Sequence, residues 1–232
     1  MFSDKTLISQ SDSLHTLIIL IHGRAVHGRG ILLLNASETE ARIKHLDGFV
    51  SVSFFLSENR ETIGEYVQWR SPAHLASAFR RPEFSEHLRV LEGLASAEVG
   101  FYAVERIIAH GDVTIGPLFS GTVDLQVLKL PNESVDAAIA RIGLWAEMMH
   151  GRSKSLRAIV IHADRTNGKA GLFIHHDGGV EIEPVWYSDT EVPEIDRGER
   201  MTRYTTVSAP SATERPMRYV LTSTAAHKAH QP

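Results

Sequence analysis

Glu65 and Trp69 share the segment Glu61–Arg70, ETIGEYVQWR, in which Ile63, Glu65, Val67 and Trp69 alternate with Gly64, Tyr66 and Gln68. In a strand every second side chain points to the same face. One face therefore carries a carboxylate and an indole among aliphatic neighbours. A glutamate is costly to bury there unless it is paired or used, and burial would raise its pKa toward the range where a general base works near neutral pH. The same pattern also describes an edge strand whose Glu65 face is wet, with Trp69 capping the core. Both readings are open from the residues alone.

Other residues of chemical interest are dispersed. His22 follows an apolar run, and His74 and His87 fall in a helical stretch. Each has the right intrinsic pKa for acid–base work near neutrality, and each equally suits a surface or satisfied core histidine. Arg89, in the same stretch, suits a substrate carboxylate or phenolate, or a solvated helix face. His175 and His176 are adjacent in a strand pattern and so point to opposite faces; with no third ligand at a sensible spacing, no metal site is expected. The triplet HGR occurs at His22–Arg24, His27–Arg29 and His150–Arg152, and GRAVHGRG lacks the spacing and context of a nucleotide fingerprint. These stretches read as turns.

Composition narrows the field. The 232 residues carry a net charge of −4 and no cysteine. That removes disulfides, thiolate nucleophiles and cysteine-held metal clusters. Nothing in the charge suggests nucleic acid or an anionic membrane as partner. The polar start MFSDKTLISQSDS has no signal-peptide core, and the longest apolar run, Leu17–Ile21, is too short to span a bilayer. A soluble, cytoplasmic protein is expected.

The elements that must position these residues follow from periodicity. Leu14–Ala25 reads as a first strand ended by the turn-rich HGRG at His27–Gly30. Ile31–Leu46 reads as a helix, with Ser37 and Glu40 as a capping box that would start it late. Gly48 stops it. Phe49–Leu56 and Thr62–Trp69 form a hairpin. Ser71 and Pro72 start a helical region that resumes after Pro82 and runs to about Leu94, and Val99–Ile108 is a fourth strand. The order βαββαβ is ferredoxin-like. Gly111–Gly121 reads as a linker between a first domain, 1–110, and a second repeat, 122–222. In that repeat come a strand at Thr122–Leu130, a helix capped by Ser134, and a hairpin of Leu156–Ile161 and Lys169–Ile174 around ADRTNG. The pattern fades after His176; Asp189–Arg200 reads as loop, Met201–Val207 and Arg218–Thr222 as strands, and 223–232 as a disordered tail.

Three stretches, FVSVSFFLSENRETIGEYVQW, RSPAHLASAFRRPEFSEHL and VGFYAVERI, resemble the antibiotic biosynthesis monooxygenase family, whose third strand ends in a Trp followed by a helix, as Trp69-Arg70-Ser71 does here. The likeness covers residues 14–110 well and 120–207 only through element order. It implies two tandem ferredoxin-like repeats, an α+β chain whose two sheets pack face to face as an intramolecular dimeric α+β barrel; tethering makes that pairing intramolecular. Self-association of such chains is left open.

The resemblance also implies an oxygenase needing neither metal nor flavin, which deprotonates a phenolic or anthrone-type aromatic polyketide and lets the anion reduce molecular oxygen to give a quinone. Trp69 matches the family Trp. Glu65 stands where quinone-forming members carry Asn, so a hydrogen-bond donor is exchanged for a base. Arg89 falls where such members place an Arg, while their helix Tyr is Leu75 here. The implied catalytic set is Glu65, Trp69 and Arg89, and the substrate wall is Phe54, Val67, His22, His74 and His87, without a metal ligand. Competing expectations on the same fold are a polyketide cyclase and a non-catalytic subunit of a biosynthetic complex. Haem degradation is weaker, since His87 is only near the required position and the first strand has no Asn.

Overall fold

The computed structural model describes residues 6–10, 14–23, 27–57, 61–93, 95–115, 122–130, 134–177, 202–206 and 222–224. The elements run β1 (Thr6–Ile8), β2 (His15–His22), α1 (Gly28–Glu38), a π-helical turn (Thr39–Ile43), β3 (Phe49–Ser57), β4 (Thr62–Trp69), α2 (Pro72–Phe79), α3 (Pro82–Glu92), β5 (Ser96–Ala109) and β6 (Val113–Ile115). They continue with β7 (Thr122–Lys129), α4 (Val135–Arg152), β8 (Leu156–Asp164), β9 (Lys169–His176), β10 (Thr202–Thr206) and β11 (Thr222–Thr224).

The large sheet runs β10-β7-β9-β8-β5-β2-β4-β3-β11, and β10 also pairs with β3, which closes the sheet on itself. Each half keeps one order: β5-β2-β4-β3 in the first and β10-β7-β9-β8 in the second. The halves meet at two antiparallel seams, β5 with β8 and β10 with β3. The expected tandem α+β barrel is thus formed within one chain. The sheets join edge to edge and enclose a common interior, so each half's open edges are consumed by the other.

Three apolar clusters follow from that closure. Ile18, Leu20, Phe55, Tyr66, Tyr102, Val160 and Phe173 fill the interior from both halves. Leu17, Ile19, Phe54, Val67 and Trp69 point outward beneath α1, α2 and α3. Leu128, Ile142, Ala146, Leu172 and Ile174 pack between the second half and α4. Each fully buried large side chain contributes roughly 1.5–3 kcal/mol. In the interior, Tyr66 Oη and His162 Nε2 are 2.9 Å apart and His162 Nδ1 is 3.3 Å from the Gly171 carbonyl. Burial holds His162 at about 4. The neutral ring donates from Nδ1 and accepts the Tyr66 hydroxyl at Nε2, tying one half to the other.

Several expectations change. Residues 28–30 are not a turn but the first turn of α1, and Ser37 lies inside that helix rather than capping it. Helix formers around an apolar stripe outweigh the two glycines. Residues 113–115 of the expected linker form β6, which pairs with β1; Ile8, Val113 and Ile115 plug the barrel interior. The HGR at His150–Arg152 is the last turn of α4. Residues 223 and 224 of the expected tail belong to β11. The loop read at Asp189–Arg200 and the strand read at Arg218–Leu221 lie outside the described residues. No helix among the described residues is long and apolar enough to cross a membrane.

Candidate active site

β4 lies between β2 and β3, and every one of its eight residues is buried. The wet edge strand is therefore ruled out. Glu65 is opposite Ile19 on β2 and Phe54 on β3, with Ile63 and Val67 its same-face neighbours along the strand. Its exposure is 1%. With apolar side chains on all four sides, desolvation raises its carboxyl to about 8. At neutral pH the group is mostly protonated, and it becomes a base as pH rises through that value.

The polar contact to Glu65 comes from α1, where Asn35 donates its side-chain N–H to Glu65 Oε1. Sequence reading missed Asn35. Its signal was legible: Ile31, Leu32, Asn35, Thr39 and Ile43 recur at helical spacing, which places one amide and one hydroxyl on an apolar stripe. The π-helical turn begins at Thr39, and Lys44 N bonds back to its carbonyl at 3.0 Å. Such turns occur often at functional sites.

Trp69 is fully buried at the end of β4, edge-on to Phe49 at 5.7 Å and tilted against Phe84 at 6.4 Å. Phe84 in turn stands 6.3 Å from His87. His87 faces the first helix and its π-turn from α3, at 2% exposure. Burial lowers its imidazole to about 4, with the Glu38 carboxylate opposing and Arg42 reinforcing that shift. It is a neutral ring at physiological pH. Asn35 Oδ1, Thr39 Oγ1, Trp69 Nε1 and His87 Nδ1 all lack a hydrogen-bond partner among the described residues. Unpaired buried polar atoms are uncommon in folded proteins; four of them share the layer between the first half-sheet and its helices.

Of the residues expected from sequence, Glu65, Trp69, Phe54, Val67 and His87 come together in this layer. His74 lies at its margin: Ser71 Oγ is 2.7 Å from His74 Nδ1, and Asp47 Oδ2 is 3.7 Å from Nε2. A pocket of about 430 Å³ opens there, rimmed by His45, Asp47, His74 and Arg81 and floored by Leu46 and Ala78, which belong to the apolar layer around Trp69. Gly48, at φ +83°, lets the chain pass against His74; a Cβ there would come within 2.2 Å of the His74 Cβ.

Two residues are not brought in. His22 is at the far end of β2 from the Trp69 end, on the interior-facing side, with Nδ1 3.3 Å from Thr62 Oγ1. Arg89 lies on the solvent face of α3, two residues past the buried His87, and clasps Glu86 through two bonds of 2.9 and 2.7 Å. In the second half, β9 occupies the place of β4 and has the same eight-residue length, putting Leu172 where β4 has Glu65. Among the described residues no three or more His, Asp or Glu side chains group in a way that could hold a metal.

No family model matches the chain. Over 80 residues it is 34% identical to the tetracenomycin-F1 monooxygenase of Streptomyces glaucescens, a stretch that covers 34% of this chain and 71% of that one. A solved structure described as an anthrone oxidase-like protein superposes over 97% of this chain and 98% of its own, with a TM-score of 0.71 at 17% identity, a likeness of fold. SnoaB, a cofactor-independent oxygenase from Streptomyces nogalater, aligns with 41% of this chain and 96% of its own at 16% identity and a TM-score of 0.34.

Proposed function

The chain belongs to the antibiotic biosynthesis monooxygenase family, and from that premise we propose that it oxidises a phenolic or anthrone-type aromatic polyketide to a quinone, with molecular oxygen as co-substrate and no metal or organic cofactor. The observation that carries this reading is the Glu65 carboxyl, sealed in an apolar wall, raised to about 8 and held by Asn35. A buried carboxyl with a pKa near the working pH is the form in which glutamate serves as a general base.

Ionised Glu65 removes a proton from the anthrone or its phenol. The resulting carbanion adds oxygen to give a hydroperoxide, and loss of water leaves the new carbonyl. One oxygen atom enters the quinone and the other leaves as water, so the substrate supplies all four electrons. In this reading the N–H of Trp69, which has no partner among the described residues, donates to a ring oxygen as negative charge develops. Phe54 and Val67 present a flat apolar wall beside Glu65, and neutral His87 is available to a substrate hydroxyl. The pocket rimmed by His45, Asp47, His74 and Arg81 is the mouth through which the ring enters this layer.

The test is oxygen uptake with a polyhydroxyanthrone in the presence and absence of a chelator. The expected result is one oxygen molecule consumed per quinone formed, unchanged by the chelator. Ring closure of a linear polyketide without oxygen uptake would move the assignment to a cyclase. The absence of any turnover would move it to a binding subunit.

A further inference from the structure

Thr39 lies one helical turn beyond Asn35, at the point where α1 passes into the π-helical turn. Ile31, Leu32, Asn35, Thr39 and Ile43 are all buried and form one stripe. Ile31, Leu32 and Ile43 pack in the same apolar cluster as Phe54, Val67 and Trp69. Thr39 therefore faces the layer that holds Glu65, at 2% exposure. α3 packs across the π-helical turn, and Glu38 and Arg42, whose charges act on His87, flank Thr39 in sequence.

A threonine in a helix commonly turns its hydroxyl back onto the carbonyl one turn earlier. Here the Asn35 and Ala36 carbonyls take the Thr39 N–H, and Thr39 Oγ1 has no hydrogen-bond partner among the described residues. Asn35 Oδ1, one turn away, lacks one too, so these two atoms do not bond each other. In the second half, by contrast, the buried Asp124 Oδ2 and His176 Nε2 close on each other at 2.8 Å. The Thr39 hydroxyl is left as a donor in an apolar layer. A donor without an acceptor in the resting state favours only a state in which negative charge appears beside it.

We propose that Thr39 donates to the oxygen-derived anion, first to superoxide as it forms and then to the outer oxygen of the peroxide. This rests on the reading of Glu65 as the base. Molecular oxygen is apolar and enters such a layer without a polar guide, so no group needs to hold it until an electron arrives. The substrate carbanion passes one electron to oxygen, and the superoxide and substrate radical join in a C–O bond. The outer oxygen keeps the negative charge until it takes the proton that Glu65 removed. Superoxide that escapes before the C–O bond forms disproportionates, with protons from water, to hydrogen peroxide and oxygen. The substrate radicals left behind couple to a dimer.

The test follows the fate of oxygen in the full chain. Oxygen consumed, quinone formed and hydrogen peroxide released are measured together with a polyhydroxyanthrone, and the enzyme-free reaction is subtracted. The wild type should form one quinone per oxygen molecule with little peroxide. Thr39→Val, close in shape but without the hydroxyl, should form quinone ~10²-fold more slowly, the lower end of what one lost oxyanion donor costs, with peroxide and dimer as its main products. Its pH–rate limb should stay where the wild type has it, because Glu65 keeps its Asn35 contact. A melting temperature at or above that of the wild type shows the fold intact, as expected when an unpaired buried hydroxyl is removed. Thr39→Ser keeps the hydroxyl and should restore wild-type coupling, and Thr39→Ala gives the same reading as valine if the valine variant does not fold. Wild-type coupling in Thr39→Val, whatever its rate, overturns the inference and leaves the Glu65 reading intact. Equal leakage from Thr39→Ser does the same, since shape would then be the cause. A wild type that consumes no oxygen overturns the reading of Glu65 and this inference with it.

Discussion

Asn35 and Glu65, thirty residues apart in sequence, meet through a side-chain N–H donated from the first helix to a carboxyl on the middle strand of the first half-barrel. That bond ties the helix to the wall of the site. It also favours the ionised carboxyl, because a donor stabilises a carboxylate more than a neutral acid. Asn35→Leu keeps a similar volume and removes the donor. The rising limb of the pH–rate profile should move to higher pH, with a lower rate at neutral pH. A limb that stays in place would mean that Asn35 only packs.

Stability should report the same carboxyl without any substrate. Glu65 titrates at about 8 in the folded chain and near 4.3 when unfolded. Between those values the folded state holds a proton that the unfolded chain has lost, so stability is full below the lower value and falls as pH rises toward the upper one. Thermal melts of the wild type should decline across that window. Glu65→Gln, which cannot ionise, should lack this part of the decline and be the more stable protein at pH 9. Parallel melting curves would contradict a buried, titrating Glu65.

The two other residues first considered catalytic should separate. Trp69→Phe keeps an apolar ring against Phe49 and Phe84 but loses the N–H, and should raise KM and lower kcat moderately. Arg89→Ala removes a solvent-facing residue bonded to Glu86 and should leave kcat/KM within about twofold, as surface changes usually do. A large loss with Arg89→Ala, fold intact, would mean that α3 rearranges to bring it inward.

Much of this was legible in the sequence, for reasons that can be named. The alternation of Ile63, Glu65, Val67 and Trp69 was enough to place a carboxylate and an indole on one face, because strand period is fixed by the backbone. The repeated strand–helix–strand–strand order showed the duplication. Whether that face was wet depended on β4 lying between β2 and β3, which is a matter of sheet order and not of local pattern. Arg89 was misplaced because its helix phase is set by the burial of Phe84, His87 and Leu91, and one register step separates the core from water. Asn35 was passed over because the expected capping box at Ser37 cut its helix short. The pairing of Asp124 with His176 spans 52 residues, and nothing local to either one announces it.

The central claim is that Glu65 is the base that starts the oxidation. The measurement that tests it most directly is oxygen uptake with a polyhydroxyanthrone from pH 5 to pH 10, for the wild type and Glu65→Gln side by side. The wild type should show a single rising limb with a midpoint near 8. Glu65→Gln, folded and of the same shape, should lose that limb and fall by ~10²–10⁴ in kcat, the usual cost of removing a general base. Near-normal turnover by Glu65→Gln with the limb unchanged would contradict the account and leave the first half-barrel as a binding site without its base.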